Sequence, residues 1–119
     1  MQDNIYSTVP VGNLSKINPL SKKAVLDILK NNPGKFYHAR RLAELSKLPT
    51  KGSQVELRKI ITELVELEHH PIVSFVGAGY SYTPDSLDIR RNMIRKCIEA
   101  LEHRDEGLHR RINAYRGML

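Results

Sequence analysis

Gln54, Arg58 and Lys59 have the side-chain chemistry to read a charged, hydrogen-bonding surface. A glutamine amide can pair with adenine and an arginine guanidinium with guanine. Each pairing makes two hydrogen bonds, worth about 1–3 kcal/mol of discrimination. A lysine ammonium meets phosphate as a point charge. Ser53 and Thr62 add hydroxyls to the same run. A second set, His38, Arg40 and Arg41, opens another predicted helix, whose first backbone amides would attract phosphate. Glu44 follows Arg40 by four residues and Arg41 by three, so a surface ion pair competes with that use. Lys22, Lys23, Lys47 and Lys51 are further candidates for phosphate contact. Together these side chains suit recognition of a polyanion rather than bond making.

Other chemistries find little support. His69 and His70 precede Pro71 without a Cys or carboxylate set at metal-ligand spacing, and read as a structural turn. Cys97 lies on an apolar stripe with no His–acid pair to activate it, so it reads as core. No Gly-rich phosphate loop or paired catalytic acids occur in a recognisable motif. The sequence therefore predicts no enzyme, no metal and no cofactor.

The elements that must position these residues are legible from period and punctuation. From Ser53, Leu57, Ile60, Ile61, Leu64 and Leu67 recur at spacings of three and four, which predicts a helix with one apolar face. Ser53 with Glu56 three residues on is a capping-box signature. Lys59, Thr62, Glu63 and Glu66 fall largely on the opposite face. Pro71 ends the helix. Ile72–Val76 and Tyr80–Thr83 are β-branched and aromatic and predict two strands, with Gly77 and Gly79 at the reversal. Tyr80 and Tyr82 should pack one face of this hairpin. Upstream, a helix carrying Val25, Ile28 and Leu29 begins at Ser21, or at Asn18 with Pro19 in the first helical position. Asn31–Gly34 stops it. Lys35–Tyr37 should pair weakly with the hairpin. A helix over His38–Lys47 follows, carrying Ala39, Leu42, Ala43 and Leu45.

From Asp85 onward the period is again helical. Leu87, Ile94, Ile98, Leu101, Leu108, Ile112, Tyr115 and Leu119 fit a heptad seam that Arg91 and Asp105 interrupt. Ile89, Met93, Cys97 and Ala100 form a second stripe over the first half only. One stripe is expected to pack on the preceding domain. The other, through Ile94, Ile98, Leu101, Leu108, Ile112 and Tyr115, is expected to join a second copy. Glu106–Gly107 is the expected bend.

Length and charge agree with a nucleic-acid partner. The 119 residues suit one domain with an appendage and carry a net charge of +6. Positions 21–65 hold ten Lys/Arg against four Asp/Glu, so most of the excess lies where the candidate residues are. The single cysteine fits a reducing compartment, and no run suits a membrane span or a signal peptide, so a cytoplasmic protein is expected. Met1–Ile17 lacks a period and reads as a flexible arm.

Arg41-Leu-Ala-Glu-Leu45, Val55-Glu-Leu-Arg-Lys-Ile-Ile-Thr-Glu-Leu64, Pro71-Ile-Val-Ser74 and Gly79-Tyr-Ser-Tyr82 resemble the winged helix-turn-helix superfamily. The nearest shapes are the N-terminal domain of the biotin-operon repressor and small phage-encoded winged-helix proteins. The resemblance implies a mainly α fold with a small β-hairpin, over residues 18–84, followed by a long C-terminal helix over 85–119. It implies that the helix from Ser53 enters the major groove of double-stranded DNA. A prokaryotic or phage transcriptional regulator or replication-origin binder, homodimeric through the C-terminal helix, would follow. Two features depart from the pattern. The connection before Ser53 is longer than a minimal helix-turn-helix turn, and the tip Val76–Gly79 has no Lys or Arg. They favour an alternative, an interaction module whose long helix docks a replication or recombination protein.

Overall fold

The computed structural model describes residues 17–50, 52, 54–102 and 109–119. The arm before Ile17, Lys51, Ser53, Leu108 and the Glu106–Gly107 bend lie outside them. Five α-helices and one hairpin are described: α1 (Pro19–Lys30), α2 (Ala39–Leu45), α3 (Val55–Thr62), β1 (Ile72–Phe75), β2 (Gly79–Tyr82), α4 (Leu87–Glu102) and α5 (His109–Gly117). A π-helical turn, Glu63–Leu67, continues α3.

α1 starts at the earlier of its two expected caps. Asn18 accepts a hydrogen bond from the Leu20 amide at 2.9 Å, and Pro19 stands at the first helical position, where a missing N–H costs nothing. Ile17, read as the end of the arm, is instead buried in the core.

β1 and β2 pair antiparallel, Ile72 opposite Tyr82 and Phe75 opposite Gly79. The extended piece before α2 joins them as expected: Tyr37 and Tyr80 exchange two backbone hydrogen bonds of 2.8 Å. This contact fixes the identity of Gly79. Its φ is +100°, and a Cβ there would lie 2.1 Å from the Tyr37 carbonyl oxygen. Only glycine permits the approach that seats β2 beside the start of α2.

The π turn alters the face that α3 presents. Leu57, Ile60, Ile61 and Leu64 are buried as their period predicts, and Val65 joins them. The Glu68 amide reaches back to the Glu63 carbonyl, five residues earlier, at 3.0 Å. A wider turn advances less per residue, so Leu67 leaves the apolar stripe and is half exposed.

The expected dimer seam is corrected by its own burial. Ile94, Ile98, Leu101, Ile112 and Tyr115 all lie in the chain's single core cluster. The 85–119 stretch forms two helices rather than one. α4 packs on β1, and α5 packs on both α4 and the π turn. Folding back buries the stripe without the entropy cost of bringing two chains together. Tyr115 closes the arrangement: its hydroxyl donates to the Ile72 carbonyl at 2.6 Å inside the core. Burial in apolar surroundings pushes its phenol far above the ordinary tyrosine range. Ile89, from the second stripe, is half exposed. The nine-residue α5 and sixteen-residue α4 are both amphipathic around this shared core.

Each buried aliphatic side chain contributes roughly 1.5–3 kcal/mol, against a net stability of about 5–15 kcal/mol for a typical domain. A chain ending at Pro84 should therefore lose cooperative thermal unfolding. A sharp, reversible melt of that fragment would show that the C-terminal helices are dispensable. Gly79→Ala should cost at least about 1–3 kcal/mol in a denaturant titration; an unchanged midpoint would mean that β2 can move away from Tyr37.

Candidate nucleic-acid interface

α3 is divided into an open and a covered half. Its N-terminal half carries Val55, Glu56 and Arg58, all exposed, and the half-exposed Lys59. Neither Arg58 nor Lys59 pairs with a described carboxylate. The covered half begins at Thr62. Its hydroxyl donates to the Arg58 carbonyl at 2.8 Å and accepts from the Arg111 guanidinium of α5 at 3.0 Å. Arg111 also holds Glu66 at 2.9 Å, with both side chains largely out of solvent. Thr62 is therefore engaged by the fold and is removed from the set expected to touch a partner.

Gln54 is also placed differently. It occupies the cap position of α3 in a left-handed conformation, with φ +51°. Its side chain makes no cap bond; Nε2 donates instead to the Thr50 carbonyl at 2.7 Å. Two-point pairing with adenine needs both the amide N–H and the oxygen turned outward. Here the amide nitrogen is turned into the loop before the helix. With Gln54 at the cap, Glu56 falls one position short of the capping-box register. It remains in the first turn, where a carboxylate favours the positive end of the helix dipole.

The acids behind α3 are neutralised from other elements. Lys22 of α1 lies 2.5 Å from both Glu63 and Glu68. Those hydrogen bonds raise its pKa, so the ammonium is held charged. Lys22 thus leaves the group of candidate phosphate contacts. Glu66 is matched by Arg111. An approaching polyanion would meet Arg58 and Lys59 without opposing charge from the π turn.

Around this face the second basic set is exposed. Arg40 and Arg41 approach Glu44 at 4.0 and 3.5 Å, the ion pair anticipated from their spacing. Such exposed pairs contribute about 0.2–1 kcal/mol and can be exchanged for phosphate. His38 occupies the cap position of α2 without a side-chain cap bond. Lys23 pairs with Asp27, and Lys47 is exposed with φ +59°. At the hairpin tip Val76 is 84% exposed and Gly77 has φ +84°. The tip offers an apolar residue rather than a cation.

Two features here had no signal in the sequence. Arg111 meets α3 across 45 intervening positions, and Lys22 meets Glu63 across 41. Neither pairing has a local pattern. Among the described residues no three His, Cys, Asp or Glu side chains cluster as metal ligands. Among them also no helix is long and apolar enough to cross a membrane. No family model, curated protein or solved structure matches the chain.

His70 ties the end of the π turn to β2. Its Nδ1 lies 3.3 Å from the Tyr82 hydroxyl and its Nε2 3.6 Å from Glu68. Burial lowers its pKa, with Lys30 and Lys22 adding to the effect and Glu68 opposing it. The unfolded chain therefore takes up this proton more readily than the folded one. Stability should fall as pH drops from about 6.5 through the lower folded-state value. His70→Gln should flatten that window in melting curves; an equally steep decline in the variant would assign the dependence to other groups.

Proposed function

We propose that this chain is a winged helix-turn-helix protein that binds double-stranded DNA through the open half of α3. The resemblance of its motifs supports this reading, as does the element order of helix, extended piece, helix, helix and hairpin. The observation that carries it is the state of Arg58 and Lys59: accessible, without a described ion-pair partner, and backed by acids whose charge is already matched. Arg58 would meet base edges or phosphate, and Lys59 phosphate. Arg40, Arg41 and His38 would contact the backbone at the start of α2, together with Lys51. Ser53 would serve the first turn of α3. The protein would act in the cytoplasm of a prokaryote or its phage, in transcription control or at a replication origin.

The exposed Val76 favours a second reading, in which the same domain docks another protein. A fluorescence titration with duplex DNA over a salt series separates the two. Affinity should fall steeply with salt, and Arg58→Ala with Lys59→Ala should reduce the slope of log K against log salt by about two. An unchanged slope in the double variant would remove the α3 assignment. Absence of any salt-dependent binding by the wild-type chain would leave the protein-docking reading.

A further inference from the structure

The helix that covers the second half of α3 is itself basic. α5 reads His-Arg-Arg-Ile-Asn-Ala-Tyr-Arg-Gly and contains no Asp or Glu. Ile112 and Tyr115 face the core, and Arg111 lies beside them, turned toward Thr62 and Glu66. Successive residues of an α-helix are about 100° apart. Arg110 thus stands on the Arg111 flank but farther round, away from the core, and it is exposed. His109 is exposed beside it.

Thr62 joins the two helices. It stands one helical turn after Arg58, on the same face of α3, because residues four apart on a helix are neighbours. The Arg111 bond to Thr62 therefore sets the flank of α5 that carries Arg110 next to the row that begins with Arg58. A duplex seated on the open half of α3 would run its backbone past this flank.

We infer that α5 is a second phosphate-contacting element, with Arg110 meeting the DNA backbone beside the groove that α3 enters. The inference rests on the reading of α3 given above. The occupant is set by charge and by continuity: a helix without acids, pinned against a face whose own cations lack described partners, suits a chain of phosphates. Arg111 is a positioning residue in this arrangement. Its guanidinium is occupied by Glu66 and Thr62, and it aims its neighbour outward.

Phosphate contacts carry no sequence information, so their loss weakens binding uniformly. The test uses the full chain with Arg110→Gln and Arg110→Glu, titrated by fluorescence anisotropy with two unrelated duplexes over about 50–200 mM salt. Melting curves confirm that both variants fold. Arg110→Gln should lower the salt slope by about one on both duplexes, so that affinity changes about 3–4-fold less across that range. Arg110→Glu should lower it at least as much, and Arg110→Lys should restore it. Binding that still depends on Arg58 and Lys59 but keeps its full slope in the Arg110 variants would overturn the role of α5 and leave that of α3 intact. A loss confined to one duplex would make Arg110 a base reader and overturn the phosphate assignment. Wild-type protein with no salt-dependent binding would overturn both readings.

Discussion

The seating of α5 on the π turn is the contact on which the rest of this molecule depends. Tyr115 reaches through the core to the Ile72 carbonyl, where β1 begins. Arg111 grips Thr62 and Glu66 on the neighbouring helix. One contact fixes the end of the hairpin and the other fixes the end of α3. Between them they decide where the core closes and how much of α3 stays open. They also account for the apolar stripe of the C-terminal segment, which is covered within the same chain.

The two kinds of ion pair in this structure play unequal parts. Removing one partner of a largely buried pair such as Arg111–Glu66 leaves an uncompensated charge, at a cost of about 3–5 kcal/mol. The exposed pairs around Glu44 contribute far less. The first kind fixes geometry, and the second leaves arginines able to exchange partners. Lys22 belongs with the first kind in function, because it bridges Glu63 and Glu68 at both ends of the π turn. That bridge holds the wide turn that sends Leu67 outward. A basic protein thus directs two of its cations inward, and the face around Arg58 keeps its positive character.

Much of this fold is legible in the order of residues. The Asn18–Pro19 cap, the stop at Asn31–Gly34, the hairpin with its glycine reversal and the weak third strand at Tyr37 all follow from local rules. Each depends on residues close in sequence or on a conformation that one residue type favours. The π turn does not, because nothing in Glu63–Leu67 departs from an ordinary helical pattern; its cause is Lys22, far away in the chain. The return of α5 was equally hidden. A seven-residue repeat reads alike whether the stripe meets a second copy or its own domain. Only the position of the bend decides, and a long apolar row carries no mark of it. The candidate interface was half legible for the same reason. Arg58 and Lys59 keep the exposure that the helical period assigned to them. Gln54 and Thr62 are drawn away by a loop carbonyl and by a distant guanidinium.

The central claim is that the first turns of α3 are the surface that meets DNA. Amide chemical-shift mapping of the full chain during titration with a duplex tests it most directly. The account expects the largest shifts at Val55, Arg58 and Lys59, with the buried amides of Ile94 and Cys97 little changed. Shifts concentrated on α4 and the hairpin tip, with α3 silent, would contradict it.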